Sequence, residues 1–264
     1  MALPAPSPDS IALVTGASSG IGAEFARRLA GRGYRVALVA RREDRLNELC
    51  AELGGPDRAI PVPADLAVPA DRDRLAARLE ELRVHVGMLV NCAGFGVYQP
   101  FAESDREREL QQVRVDVEAV VDLMARYLPG MVERGTGAVI NLSSTSAFQP
   151  LPFNAGYAAA KAHVLFLSEA VHQEVKGRGV TVTAVCPGPV PTEFQHVNEA
   201  EFAERMPGFT KVSAERVVTD ALKAAGRGAG TVVPGNILVR AAFAPSRLIP
   251  SRLTMPFSKR LMAK

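Results

Sequence analysis

From residue 10 onward the chain alternates short runs that are apolar throughout with longer stretches whose apolar residues recur at helical spacing. The first pair is IALVT at 11 with an amphipathic stretch over 21–31, and the second is YRVALVA at 34 with a helix over 43–53. The pattern continues through AIPVPA at 59, a charged helix over 71–83, MLVNCA at 88, a long helix over 105–128, AVINLSS at 138, a helix over 157–176 and VTVTAVCP at 180. A helix over 214–225 and a last strand in TVVPG at 231 close it. Strands alternating with helices predict an α/β fold built on a parallel sheet, and strands apolar on both faces are those covered by helices on both sides. Ser104 with Glu107 reads as a capping box, and Ser213 ahead of Glu215 as the next helix start. Nothing rich in Gly, Ser or Pro interrupts residues 10–235, and no segment repeats at a fixed period. A single domain is therefore expected over 10–235, preceded by a flexible N-terminal arm over 1–9 and followed by an extension over 236–264.

Composition narrows the class. With 264 residues, 47% hydrophobic and 22% charged, the chain is long enough to bury a sizeable core and is not a disordered one. Three cysteines, Cys50, Cys92 and Cys186, are far apart and odd in number, which argues against a disulfide scaffold and for a reducing, cytoplasmic compartment. The four histidines, His85, His163, His172 and His196, have no metal-ligand spacing, so no metal is expected. No apolar run approaches the roughly 18 residues of a membrane span, and the start MALPAPSPDS has no export signal. The net charge of +3 is uneven: six basic residues and no acid lie between Asn236 and Lys264, leaving 25 basic against 28 acidic residues before them. A slightly acidic body makes nucleic acid a poor partner.

Between the first strand and the first helix stands Thr15-Gly16-Ala17-Ser18-Ser19-Gly20-Ile21-Gly22, a TGxxxGxG pattern. Glycines at this place permit a tight turn, close approach of backbone to a pyrophosphate and close packing of helix on strand, while the helix N-terminus attracts an anion. The second strand ends at Ala40 and is followed by Arg41 and Arg42, where a site selective for the unphosphorylated dinucleotide places an acid. Guanidiniums there suit a 2′-phosphate, so NADP(H) is expected over NAD(H), chiefly through Arg41.

Tyr157 and Lys161 stand four apart in the helix after the fifth strand and so share one face. A tyrosine titrates near 10, but a cation about 4 Å away contributes about 4 kcal/mol at an effective dielectric near 20, enough to bring the phenol toward acid–base work at neutral pH. Ser144, at the end of AVINLSS, could hydrogen-bond the same substrate oxygen; its neighbour Ser143 is the competing choice.

Together TGASSGIG, VNCAG at 90–94, NLSS, YxxxK and CPGPVPT at 186–192 resemble the classical short-chain dehydrogenase/reductase family over residues 11–195. The resemblance implies a single Rossmann-type doubly wound parallel sheet and reversible hydride transfer between NAD(P)H and a carbonyl carbon. It implies Tyr157 as general acid and base, Lys161 as the group that binds the nicotinamide ribose and lowers the phenol, and Ser144 as the group that orients substrate. It also implies that Gly16, Ser18, Ser19, Gly20, Ile21 and Gly22 cradle the pyrophosphate and Asp65 accepts from the adenine. Asn91, Ala93 and Gly94 would line the adenosine half, and Pro187, Gly188, Val190 and Thr192 would hold the nicotinamide amide. In the long fourth helix the family usually has an asparagine, acting largely through its backbone carbonyl, where VRVDVEA places Asp116. Asp116 is therefore expected to keep that geometry and add a negative charge. The YxxxK spacing favours carbonyl or alcohol chemistry over double-bond reduction.

Phe95, Val97, Thr145, Phe148, Gln149, Leu151, Phe153, Pro189 and Phe194 surround the expected substrate position, and no Lys or Arg occurs from Thr145 to Tyr157. A lipophilic ketone, aldehyde or secondary alcohol is favoured, with a dinucleotide-binding scaffold or redox sensor as the alternative function. Cys92 and Cys186 read as packing residues and His196 as a group over the pocket. The extension is a basic, amphipathic surface helix broken by Pro245, Pro250 and Pro256. Subunit contact, in a homodimer or homotetramer, or a cover over the pocket is its expected role, ahead of contact with an anionic membrane surface.

Overall fold

The computed structural model describes residues 3–193, 211–236, 239 and 249–262. Seven parallel strands form one sheet in the order β3-β2-β1-β4-β5-β6-β7. They are β1 (Ser10–Thr15), β2 (Arg35–Ala40), β3 (Ala59–Pro63), β4 (His85–Asn91), β5 (Gly137–Leu142), β6 (Val180–Val185) and the short β7 (Thr231–Val232). Successive side chains on a strand point to opposite faces, so β1 serves two cores at once. Ala12 and Val14 pack with Phe25 and Leu29 of α1 (Gly20–Ala30), Leu46 of α2 (Glu43–Glu52) and Val217 and Ala221 of α7 (Ala214–Gly226). Ile11 and Leu13 join the opposite core with Leu75 and Leu79 of α3 (Pro69–Glu81), Leu123 and Met131 of α5 (Ala119–Arg134) and Val164 of α6 (Ala155–Glu174).

The order in which strands are added reverses at β1, which pairs with β2 on one side and β4 on the other. The loops leaving the C-terminal ends of β1 and β4 diverge there, and the crevice between them is where a doubly wound sheet binds its ligand.

Several local expectations change in the structure. The long fourth helix is α4 (Arg106–Val113), a π-helical turn (Arg114–Glu118) and α5, which runs through Pro129 to Arg134. It stops where Gly135 turns left-handed at φ 67°. Its N-cap is Asp105, which accepts from the Arg108 backbone N–H at 2.7 Å. Ser104, the expected cap, donates to Glu109 Oε1 at 2.5 Å instead; a carboxylate next to the helix start suits the positive end of the dipole better than a hydroxyl. Ser213 does cap α7, accepting from Arg216 N.

The residues expected to form a flexible arm are docked from Leu3 on. Leu3 packs against the core, Pro4 is buried and its carbonyl accepts from the Tyr34 hydroxyl. Prolines with fixed φ lose little entropy on docking, which lets so short a segment hold. Arg72, 3% exposed, was not foreseen as a structural residue. It donates to the Leu66 carbonyl and pairs with Glu118 and Asp122, tying α3 to the π-turn and α5. At the far end α8 (Ser251–Met262) continues through Pro256 rather than breaking there; Pro250 precedes it and Pro245 lies outside the described residues.

Candidate active site

The phosphate-loop residues sit in the crevice. Gly16 has φ +67°, and a Cβ there would lie 2.9 Å from the Ala93 backbone nitrogen. Gly22, in the first turn of α1, has no room either, since its Cβ would meet the Gly16 carbonyl oxygen at 2.2 Å. Thr15, the first residue of the motif, locks the loop to the chain leaving β4: its Oγ1 accepts from Cys92 N at 2.9 Å and Ala93 N at 3.0 Å.

Ser19 makes no side-chain hydrogen bond as the N-cap of α1, leaving the first-turn amides to an anion. The chain already places an anion beside them. Glu193 is hydrogen-bonded to Ser19, and its Oε2 pairs with Arg42 Nη2 at 3.0 Å; that guanidinium holds its carboxyl below the usual range. Arg42 also donates to Ser18 Oγ at 3.1 Å. The loop thus fits a dinucleotide phosphate. Both arginines after β2 are exposed; Arg42 is the one bonded to the loop, while Arg41, expected to dominate, stands beside it.

After β3, Asp65 Oδ1 accepts from Ala67 N at 3.0 Å and its own N–H donates to Asp71 Oδ2 at 2.8 Å, so the turn is braced. Asn91 is not in the groove with its neighbours. It is buried, and its Nδ2 donates to Asn141 Oδ1 at 2.9 Å, in a ladder that continues from Asn141 Nδ2 to Ser168 Oγ at 2.8 Å and joins β4, β5 and α6. Beyond β6, the Pro187 carbonyl accepts from Thr145 N, Val190 is buried in the core and the Thr192 side chain lies against Gly20. Gly188 stands half-buried between them. Ile21 packs half-buried on the same core. Phe194 and His196 lie outside the described residues.

The two serines after β5 separate cleanly. Ser143 Oγ donates to the Lys161 carbonyl at 2.8 Å, a structural bond within the core. Ser144, the N-cap of the 3₁₀ turn Thr145–Phe148, is hydrogen-bonded to the Tyr157 phenol and also accepts from Ser146 N. Lys161 Nζ donates to the Leu142 carbonyl at 3.2 Å and lies 5.5 Å from the Tyr157 ring centroid. Behind it Asp116 Oδ2 approaches to 3.1 Å, while Asp116 Oδ1 accepts from Phe95 N at 3.0 Å. Asp116 is the central residue of the π-turn and fully buried; π-turns re-aim side chains and recur at functional sites. Gly94 makes the approach achievable, because a Cβ there would stand 2.9 Å from Asp116 Oδ1 and 3.0 Å from Lys161 Nζ.

The electrostatics correct one expectation. Burial pushes the Tyr157 phenol above its ordinary value, and Lys161 and Ser144 only partly oppose this, because Asp116 acts in the other direction. Burial also works against the Lys161 ammonium, but Asp116 and Tyr157 outweigh it and hold the group above its usual range. Burial likewise raises Asp116, with Lys161 drawing it back. A lysine counted alone lowers the phenol; a lysine sharing its charge with a buried carboxylate 3.1 Å away does so much less. Cys92 is pushed up to about 12 by burial, an inert thiol. Among the described residues no cluster of His, Cys, Asp and Glu could hold a metal ion.

The family model for short chain dehydrogenases matches residues 10–202. The chain belongs to the short-chain dehydrogenase/reductase family. It is 32% identical over 197 residues to an uncharacterized oxidoreductase of Staphylococcus epidermidis, covering 75% of this chain and 84% of that one. It is 33% identical over 221 residues to a very-long-chain 3-oxoacyl-CoA reductase of Bos taurus, covering 81% and 68%. Among solved structures, a short-chain dehydrogenase from Sphingobium yanoikuyae in complex with NADPH is 33% identical, with a TM-score of 0.78 over 90% of this chain and 93% of that one. This short-chain dehydrogenase/reductase is accordingly an oxidoreductase that interconverts CH–OH and C=O groups with a nicotinamide cofactor.

Proposed function

We propose that this dehydrogenase/reductase uses NADP(H) in preference to NAD(H) to interconvert a lipophilic carbonyl compound and its secondary alcohol, with Tyr157 as general acid and base. The observation that carries the reading is the Ser144–Tyr157 hydrogen bond backed by the buried Lys161–Asp116 pair. The nicotinamide, when bound, supplies or accepts the hydride. Ser144 and Tyr157 orient the substrate oxygen between them, and the phenol gives up or takes its proton there. Lys161 holds positive charge behind the phenol, where it steadies the phenolate once formed, and binds the nicotinamide ribose. Asp116 keeps that lysine charged where burial opposes the charge.

NADP(H) preference is supported by Arg41 and Arg42 after β2 and by the Glu193 carboxylate already held at Arg42 and Ser19. A lipophilic substrate is supported by Phe95, Val97, Leu151 and Phe153 and by the absence of a cation from Thr145 to Tyr157. The bovine relative's very-long-chain acyl substrate agrees with it. The enzyme is read as cytoplasmic and as a homodimer or homotetramer. Assaying hydrophobic ketones and alcohols with Tyr157→Phe tests the mechanism: turnover is expected to fall about 10²–10⁴-fold, and intact turnover overturns it. Comparing kcat/KM for NADPH and NADH in wild type, Arg41→Ala and Arg42→Ala tests the cofactor; equal use of both by the wild type refutes the preference.

A further inference from the structure

Glu193 follows β6, yet its carboxylate lies at the phosphate loop after β1. Thr192 brings it there: the threonine side chain packs on Gly20, where a Cβ would stand 3.2 Å from the Thr192 Cβ. From that footing Glu193 is hydrogen-bonded to Ser19, and its Oε2 accepts from Arg42 Nη2 at 3.0 Å, a pair 151 residues apart in sequence. Glu43 and Asp44 stand next to Arg42 and open α2, but it is the distant acid that Arg42 pairs with. Arg42 also reaches Ser18 Oγ at 3.1 Å. A guanidinium and two serine hydroxyls thus gather beside the N-terminus of α1, a set of donors that suits a phosphate group, and a carboxylate of the chain itself is bonded to two of them.

We propose that Glu193 is a specificity-determining residue that competes with the 2′-phosphate of the cofactor for Arg42 and Ser19. Carboxylate and phosphate oxygens accept from the same donors, and two anions at one point repel each other, so one leaves when the other binds. A dinucleotide with a 2′-phosphate has to displace Glu193, whereas one with free ribose hydroxyls leaves the Glu193–Arg42 pair intact. Glu193 thereby narrows the preference for NADP(H) that Arg41 and Arg42 create. The side chains of Arg42 and Glu193 are 45% and 49% exposed, and an ion pair so open to water contributes at most about fivefold to an equilibrium. Competition of that size tunes cofactor choice without closing the site. That the displacing group is a 2′-phosphate rests on the NADP(H) reading proposed above; the Glu193–Arg42 pair does not.

Isothermal titration calorimetry of the full-length protein with adenosine 2′,5′-bisphosphate and with adenosine 5′-monophosphate reads this competition without any turnover. Glu193→Gln keeps the side chain's shape and removes its charge. It is expected to tighten bisphosphate binding about two- to fivefold and to leave the monophosphate unchanged, with the melting curve of the free protein intact. In an Arg42→Ala background the same substitution is expected to gain nothing, which separates local competition from a general loss of negative charge near the ligand. Bisphosphate binding that is unchanged in Glu193→Gln overturns the proposal, and so does weaker binding, which would make Glu193 a clamp on the ligand. Equal tightening of both nucleotides, or a gain that persists in full without Arg42, overturns it as well. If Glu193 fails while the NADP(H) reading stands, Arg42→Ala still weakens the bisphosphate; if the NADP(H) reading itself fails, neither Arg41→Ala nor Arg42→Ala weakens it.

Discussion

Truncating Asp116 to Ala is expected to unsettle the site more than its size suggests. The carboxylate lies 3.1 Å from Lys161 Nζ and accepts from Phe95 N at 3.0 Å, in a place where Asp116 is fully buried and Lys161 is 5% exposed. At that separation and an effective dielectric near 20 the attraction is about 5 kcal/mol, most of it offset by the desolvation of both ions. Removing one ion leaves the other's desolvation uncompensated. Among the described residues Lys161 would keep the Leu142 carbonyl as its one hydrogen-bond acceptor and Phe95 N would have none, so the expected loss of stability is about 3–5 kcal/mol. Asp116→Asn keeps an oxygen for Phe95 N and the same volume, and is expected to cost about 1–3 kcal/mol. Because the π-turn backbone survives that change, the Asn variant is expected to retain turnover. Urea unfolding at neutral pH gives both stabilities, and steady-state assays on the folded variants give kcat. A loss below about 1 kcal/mol for the Ala variant would refute the role assigned to the pair, and a folded but inactive Asn variant would refute the backbone account.

Two further outcomes follow from the same contacts. Gly94→Ala would drive a Cβ to within 3.0 Å of both buried charges, so a loss of about 1–3 kcal/mol together with reduced kcat is expected; unchanged melting temperature and kcat would show that the pair can move aside. For pH, Lys161 and Tyr157 both titrate higher in the folded chain than their ordinary values near 10, so the folded state keeps protons that the unfolded state releases. Their contribution is intact below about pH 10 and is lost as pH rises beyond it. Urea midpoints measured from neutral to strongly alkaline pH are expected to fall past that point, less steeply in Tyr157→Phe, and a flat wild-type profile there contradicts the assignment.

The strands, most helices and the order of the chemical motifs were legible along the chain, because each depends on residues near one another in sequence. Alternating apolar runs specify β1 to β6 and their covering helices within a few residues, and TGxxxGxG announces its loop because a strand–turn–helix junction is itself local. YxxxK likewise places Tyr157 and Lys161 on one helical face without reference to the rest of the chain. What the sequence left open was decided by partners from distant segments. The docking of Leu3 and Pro4 depends on Tyr34 and the far core, the choice between Ser143 and Ser144 on α6, and the position of Arg42 on Ser18 and Glu193. Asp116 could be matched to a family position from its neighbours, but its effect on Lys161 and Tyr157 could not be read there. Charge in a buried site depends on everything within a few ångströms, and only the folded sheet brings the π-turn, Gly94 and α6 that close together.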